Sequence, residues 1–265
     1  MGSIRFENVN KFFGATSAGL KALDNINLDI AEREFVALVG PSGCGKTTCL
    51  RMAAGFERAS SGTVSVNGKP VVAPGPDRAV VFQHFALFPW KTVQQNIDLG
   101  LRNKKLVKSE RVRIIKDTLK LMNLESHANA FPHQLSGGMQ QRVAIARAYV
   151  LDPEVLLMDE PFGALDAQTR VVMQEELVRL SRVNPRTVLF ITHSVEEAVY
   201  LADRVAIMTK RPGRIKEILD IKTIRIGENW SRLNKIEDVM DLESFIHLRS
   251  HVWKSLREEK TEEGH

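Results

Sequence analysis

Nine residues, Gly40-Pro41-Ser42-Gly43-Cys44-Gly45-Lys46-Thr47-Thr48, narrow the folds open to this 265-residue chain more than any other stretch. They follow the apolar run Phe35-Val36-Ala37-Leu38-Val39 and precede Cys49-Leu50-Arg51-Met52-Ala53-Ala54, so the context is strand, glycine-rich loop, helix. The spacing G-x-x-x-x-G-K-[ST] in that context is a phosphate cradle. Glycines let backbone N–H groups converge on a polyphosphate, and the helix start adds the positive end of its dipole. Lys46 brings a point charge to the β- and γ-phosphates, and the Thr47 hydroxyl is a ligand for Mg²⁺. A turn that merely joins a strand to a helix has no need of the Lys-Thr pair.

Ahead of the cradle, Ile4–Val9 alternates like a strand and Leu23–Ile30 does so more loosely. Phe12-Phe13-Gly14 and Ser17-Ala18-Gly19 read as a loop between them. Thr63–Val66 running into Asn67-Gly68 is a hairpin signal. The first third is therefore a β-rich layer around one strand-loop-helix unit. Ala79–Phe82 is a short buried-type strand ending at Gln83, followed by the apolar loop Phe85-Ala86-Leu87-Phe88-Pro89-Trp90. Helical patterns fill Thr92 to Leu151, with Val112, Ile115, Leu119 and Met122 spaced for one face. Ser136 is placed to cap the last of these helices, with Gly137 and Gly138 exposing N–H groups at its positive end.

Strand and helix then alternate. Val155–Met158 ends in Asp159-Glu160, a helix covers Ala167–Arg182, and strand Thr187–Ile191 ends in Thr192-His193. Ser194-Val195-Glu196-Glu197 has capping-box spacing, and Val205–Met208 is a further strand. Polar groups at the carboxyl ends of parallel strands are where open α/β sheets bind ligands. Taken alone, Asp159-Glu160 is a common helix-entry pair and His193 a common structural histidine. Beyond Asp220 the pattern loosens. Ile221–Asp241 is poorly periodic, Leu242–Glu259 reads as an amphipathic helix, and Glu258–His265 as a frayed polar end.

Charge and composition remove some function classes. Net charge is +5, and the densest basic stretch runs from Arg102 to Lys116. No aromatic residues interleave with those charges, so a solvated helix face is expected there, not a nucleic-acid surface. No run approaches the ~18 apolar residues of a membrane helix, and Met1–Asn10 lacks a signal-peptide core, which points to a cytosolic chain. Cys44 and Cys49 are the only cysteines. Reduced thiols are expected, with Cys44 the more reactive because it precedes a helix start and neighbours Lys46.

Leu135-Ser136-Gly137-Gly138-Met139-Gln140-Gln141-Arg142, joined to the cradle and to Asp159-Glu160, resembles the ATP-binding-cassette (ABC) ATPases over residues 1–220. The resemblance implies an α/β fold: a phosphate-loop (RecA-like) core, an antiparallel β layer and a helical signature subdomain at about residues 85–152, with a short helical tail over 221–265. It implies ATP and Mg²⁺ as the bound species. Gly40, Gly45, Lys46 and Thr47 match the Walker A motif, within the nucleotide-binding stretch Gly40 to Thr48, and Leu156 to Asp159 match the Walker B. Glu160 matches the catalytic glutamate, Gln83 the glutamine linking Mg²⁺ and water to the coupling loop, and His193 the switch histidine at the γ-phosphate. Ala164-Leu165-Asp166 matches the D-loop. Phe13 matches the adenine-stacking aromatic, with Phe where Tyr is common. In the family Ser136, Gly137 and Gly138 contact nucleotide held by the other subunit, so a head-to-tail homodimer is implied.

Softer features resemble the ATPases of importers for nitrate, sulfonates or taurine: Leu87-Phe88-Pro89-Trp90, Lys210-Arg211-Pro212-Gly213-Arg214-Ile215, and Leu248-Arg249-Ser250-His251-Val252-Trp253 in the tail. Taurine or another alkanesulfonate leads, with nitrate close behind. That resemblance implies transmembrane permease subunits, an indirect link to a solute-binding protein, no nucleic acid, and a peripheral place on the cytoplasmic face of the membrane. The competing class is a non-transport ABC ATPase of DNA repair or the ribosome. The interval Thr48–Gln134 is too short for a repair ATPase's coiled-coil insertion, and one cassette is fewer than ribosomal members usually carry.

Overall fold

A computed structural model describes residues 2–14, 19–102, 104–233 and 235–261. The first strands are β1 (Ile4–Phe13), β2 (Leu20–Ile30) and β3 (Phe35–Val39), followed by helix α1 (Lys46–Ala54). Strands β4 (Ser61–Val66), β5 (Lys69–Pro70) and β6 (Arg78–Val81) come next, then helices α2 (Val93–Asp98), α3 (Lys108–Leu121) and α4 (Gly137–Tyr149). The chain continues with β7 (Val155–Asp159), α5 (Ala167–Val183), β8 (Thr187–Ile191), α6 (Val195–Leu201), β9 (Arg204–Met208) and β10 (Ile215–Asp220). It closes with α7 (Lys222–Gly227), α8 (Ile236–Met240) and α9 (Glu243–Thr261).

The strands form two sheets. An antiparallel layer runs β2-β1-β4-β5, and a second sheet runs β10-β9-β3-β8-β7-β6 with only β10 antiparallel to its neighbour. All five residues of β3 and of β8 are buried, as strands covered on both faces require. Their alternation splits the core in two. Val36, Leu38, Val155, Leu157, Leu189 and Ile191 point to one face, onto α1 and the antiparallel layer. Phe35, Ala37, Val39, Leu156, Met158, Val188 and Phe190 point to the other, onto α4, α5 and α6. Burying both faces at roughly 25 cal/mol per Å² of apolar surface is what holds the three layers together. The phosphate-loop α/β core, antiparallel layer and helical part match the expected fold.

Several local readings change. Phe12 and Phe13 end strand β1, paired with Lys21 and Leu20, and do not form a loop; Ser17-Ala18 lie outside the described residues. Val112 is 58% exposed, because the buried face of α3 runs through Thr118 and Leu119. The Asn67-Gly68 hairpin is present, both residues having positive φ (55° and 71°) as a type I′ turn demands. Strand β10 had no sequence reading. The tail is not appended loosely, since Trp230, Val239, Phe245 and Val252 are buried in the same core as α5 and α6. Of its polar end, 258–261 continue α9, and 262–265 lie outside the described residues.

Candidate active site

Four adjacent parallel strands, β3, β8, β7 and β6, end side by side. Leu38 and Asp159 are both paired with Ile191, and Val81 is paired with Met158, so the strand ends are level. The segments leaving those ends are therefore neighbours: the glycine-rich loop from β3, Thr192-His193 from β8, Asp159-Glu160 from β7 and Gln83 from β6. They are brought together from positions up to 153 residues apart by sheet order alone.

Helix α1 begins at Gly45, whose φ of 101° excludes most side chains, and no side chain caps it. Its first N–H groups thus remain directed at the loop's concavity. Lys46 is 5% exposed and its Nζ donates to the carbonyls of Gly40 (2.8 Å) and Pro41 (3.0 Å). The Thr47 hydroxyl donates to Asp159 Oδ1 at 3.2 Å. Burial raises the Asp159 carboxyl above its usual range, opposed by the Thr47 hydrogen bond and reinforced by the Glu160 charge. Glu160 has φ of 46°, a left-handed conformation rare outside glycine, and its N–H donates to the Ile191 carbonyl at 2.9 Å. That backbone sends its carboxylate to His193 Nε2 at 2.7 Å and to Gln83 Nε2 at 3.5 Å.

A cleft of about 260 Å³ opens over this cluster. Phe13, Ser42, Gly43, Gly45, Lys46, Thr47, Thr48, Glu160 and His193 line it, as the sequence reading has them gathered. Phe13 is 42% exposed at the mouth, with Lys11 Nζ 4.9 Å from its ring centroid. Gly40, Pro41, Gln83 and Asp159 lie just behind the lining, through the bonds given above. Leu20, Ala22 and Arg211 also line the cleft and had no assigned place in it. Arg211 arrives on the segment between β9 and β10. Gly213 in that segment packs under the loop, its N–H on the Ala22 carbonyl at 2.9 Å and its Cα against the Cys44 carbonyl. The Lys210–Ile215 motif was noted without a role because nothing local in it indicates that packing.

Cys44 departs from expectation. Its side chain is fully buried beneath Gly40 and Met208, and burial raises its thiol, outweighing Lys46 at 3.7 Å. Only its backbone faces the loop. Burial also raises Cys49. The Ser194 hydroxyl accepts from the Glu197 N–H, but Glu197 does not close a capping box; its buried carboxylate instead takes the Thr192 hydroxyl (2.5 Å) and the Gln174 amide (3.1 Å). Those bonds anchor the His193 segment to α5.

Ser136, Gly137, Gly138 and Asp166 are not part of this cleft. Ser136 caps α4, accepting from the Met139 N–H, and Asp166 caps α5, accepting from the Thr169 N–H at 3.0 Å. Gly138 is pressed against Thr169 so closely that a Cβ there would come within 2.4 Å of its Cγ2. The signature and the D-loop are thus one packed unit with Ser136, Gly137, Ala164 and Asp166 exposed.

A glycine-rich cradle on β3, paired carboxylates on β7 and a polar strand end between them define a phosphate-loop nucleotide cassette. More narrowly, the chain belongs to the ABC transporter family, whose model matches residues 23–163. It is 53% identical to an uncharacterized ABC transporter ATP-binding protein of Methanocaldococcus jannaschii over 86% of this chain and 85% of that one. It is 42% identical to the nitrate import ATP-binding protein NrtD of Synechocystis over 98% and 97% of the two chains. It is 43% identical to the bicarbonate transport ATP-binding protein CmpC of Synechococcus elongatus, over 97% of this chain and 38% of that longer one. Among solved structures it is similar to the post-hydrolysis dimer of the ATP-binding cassette MJ0796 bound to ADP and Pi: TM-score 0.71, 32% identity, 82% of this chain and 98% of that one. The chain is an ATP-binding subunit of a transporter, an ATPase whose hydrolysis is coupled to transport.

Proposed function

We propose that this chain is the motor of an importer for a small anion, and that the residues of the cleft divide the work of ATP hydrolysis among them. The observation that carries the reading is Glu160: a left-handed backbone sets its carboxylate 2.7 Å from His193 and 3.5 Å from Gln83, facing the phosphate loop. On nucleotide binding Lys46 exchanges the Gly40 and Pro41 carbonyls for β- and γ-phosphate oxygens, while loop N–H groups from Ser42 to Thr48 surround the phosphates. Phe13 stacks on adenine at the mouth. Glu160 takes the proton of the attacking water, and His193 donates to the γ-phosphate, which holds that phosphate beside the base.

The Thr47 hydroxyl, Asp159 carboxylate and Gln83 amide are hard oxygen donors that fit Mg²⁺, an ion held by one or two carboxylates, water and substrate phosphates. Among the described residues no group of three or more His, Cys, Asp or Glu is placed to hold a metal, which agrees with that mode. Thr47, Asp159 and Gln83 would hold Mg²⁺ there, and the ion would supply positive charge to offset that of the β- and γ-phosphates.

Ser136, Gly137, Gly138 and Asp166 act on the nucleotide of a second copy packed head-to-tail, since Ser136, Gly137 and Asp166 are exposed and all four lie outside their own cleft. A separate apolar cleft of about 710 Å³, lined by Phe56, Phe82, Phe88, Leu99 and Leu151, lies between the α/β core (within residues 1–220) and the helical subdomain over 85–152. It receives a short helix of a transmembrane permease, with Trp90, 69% exposed, as an anchor beside it. The tail over 221–265 braces the core. Among the described residues no helix is long and apolar enough to cross a membrane; the proposed pore is that of separate permease subunits. That dependence makes the chain peripheral to the membrane, on its cytoplasmic face. For the solute, the relatives named for nitrate and bicarbonate favour a small oxyanion. Taurine and other alkanesulfonates rest on the tail and loop motifs alone.

Phosphate release from the purified chain with MgATP tests the reading. Glu160→Gln should retain nucleotide binding and lose ~10²–10⁴-fold in turnover. Near-wild-type release by this variant overturns the role given to Glu160.

A further inference from the structure

A second cavity, of about 320 Å³, lies remote from the nucleotide cleft, between the end of α5, the end of α6 and the segment from α7 to α8. Its lining is dominated by cations: Arg33, Arg182, Arg186, Lys222 and Arg225 face it, with Asp203 as the only carboxylate among the lining residues. The aromatic walls are Tyr200 and Trp230. Three of the cations are engaged. Arg33 lies 3.7 Å from Glu32, Arg186 pairs with Asp152, and Arg225 lies 3.6 Å from Asp203 while donating to the Tyr200 and Ala202 carbonyls. Asp203 also accepts the Phe35 N–H at 3.0 Å. Glu175, near Tyr200, is taken by the Ile236 N–H at 3.1 Å.

For Arg182 and Lys222, no carboxylate partner within 4.0 Å is present among the described residues. Burial disfavours the charged form of Arg225, opposed by the Asp203 carboxylate, with the Arg182 charge close enough to add to the burial effect. The Arg186 Nε is buried without a partner. Arg225 sits over the Trp230 ring at 6.0 Å, which together with its bonds to the Tyr200 and Ala202 carbonyls fixes the plane of its guanidinium in the wall. A cavity of this size lined by five cations, of which Arg182 and Lys222 have no carboxylate partner among the described residues, and by a flat aromatic wall has the make-up of a small-molecule site.

We propose that this cavity is a binding site for a small metabolite carrying two or more carboxylate or phosphate groups, distinct from the ATP site. Arg182 and Lys222 supply the unpaired charge that recognises it, Arg225, held by Asp203 and the Tyr200 and Ala202 carbonyls, adds to the positive field of the wall, and Tyr200 and Trp230 contact its apolar body. The helices that form the cavity by their far ends begin at Asp166 and next to His193, so an occupant bridges α5 and α6 behind the catalytic groups.

Calorimetric titration of the ADP-loaded chain with citrate, and separately with inorganic pyrophosphate, tests this. Saturable 1:1 binding with Kd tighter than about 1 mM is expected for at least one of them. Citrate alone identifies a carboxylate ligand, pyrophosphate alone a phosphorylated one, and both identify charge as the recognised feature. Arg182→Gln should weaken that binding by ~10-fold or more, and Arg182→Gln with Lys222→Gln should abolish it, both leaving basal ATPase unchanged. Lys46→Ala should leave it intact. Absence of binding by both anions, binding indifferent to the Arg182 and Lys222 changes, or binding lost in Lys46→Ala each overturn the proposal.

Discussion

Replacing Gly213 by alanine probes how the nucleotide cleft is built without touching a residue that lines it. A Cβ at Gly213 would lie 1.9 Å from the Cys44 carbonyl oxygen and 2.8 Å from Met208 Cε. The methionine methyl can swing away, but the carbonyl belongs to the phosphate loop. Gly213 itself cannot retreat freely, because its N–H is bonded to the Ala22 carbonyl and its carbonyl to the Asp24 N–H, each at 2.9 Å. Relief therefore falls on the loop, which must shift by about 1 Å to reach a tolerable contact. Overpacking of this kind costs ~1–3 kcal/mol, and the entropy alanine removes from the unfolded chain returns only ~0.4–1 kcal/mol, so the steric effect wins. At ~2–4 °C per kcal/mol for a chain of this size, Tm should fall by several degrees. A misplacement of about 1 Å at reacting groups costs on the order of 10²-fold in rate, so kcat/KM for ATP should drop by far more than the folded fraction does. Gly68→Ala is the control. Gly68 also has positive φ (71°), but nothing lies near its added Cβ and it sits in the remote hairpin, so it should lose ~1–2 kcal/mol of stability with catalysis unchanged. Thermal unfolding and steady-state phosphate release, measured on both variants, decide it. A Gly213→Ala protein with wild-type kcat/KM would refute the coupling between the 209–214 segment and the phosphate loop.

Other outcomes follow from the same geometry. Phe13→Ala should weaken ATP binding ~5- to 150-fold by equilibrium titration, with Tm unchanged, because the ring is 42% exposed; lost stability with intact affinity would return Phe13 to the core. Asp159 has a folded-state carboxyl raised by burial, so above its unfolded range ionisation opposes folding, and the penalty grows as pH rises from the unfolded value toward the folded one. Asp159→Asn should therefore raise Tm at pH 7 while abolishing Mg²⁺-dependent turnover, and a lower Tm would contradict the burial argument. Both thiols are buried and shifted upward, so iodoacetamide at neutral pH should modify neither until denaturant is added; rapid labelling of Cys44 in the native chain would show the loop open. Trp90→Ala should fold normally and keep basal ATPase but lose assembly with the permease, and intact solute-stimulated ATPase in the assembled transporter would sink that docking surface.

The cleft was largely legible in the sequence because its pieces are local: a glycine-rich turn, an Asp-Glu pair and a His each directly follow an apolar run, and parallel strands deliver such ends to one edge. What sequence did not show depends on contacts between distant segments. Arg211 enters the cleft only because Gly213 packs under Cys44, a contact between segments 169 positions apart. Cys44 was misread because proximity to Lys46 in sequence says nothing of the side chain pointing inward, where desolvation outweighs the cation. Glu197 has the spacing of a reciprocal cap, yet tertiary partners Thr192 and Gln174 outbid the local one. Strand β10 carries charges at Lys216, Glu217 and Asp220 on an edge whose far side is unpaired, so its alternation is weak. Val112 shows the same limit on α3, where a helical spacing fits two faces and packing selects one.

We propose that two copies of this chain close on ATP, each cradling phosphates in its own loop and meeting the other's Ser136–Gly138 signature, and that Glu160 then activates the water that hydrolyses what is trapped. Light scattering of Glu160→Gln in MgATP measures this most directly. The expected result is a species of about twice the 29.8 kDa chain mass holding two uncleaved ATP molecules, reverting to the single-chain mass with ADP or when Ser136→Arg is added. A Glu160→Gln protein that stays at the single-chain mass with ATP bound, or that continues to release phosphate, would contradict it.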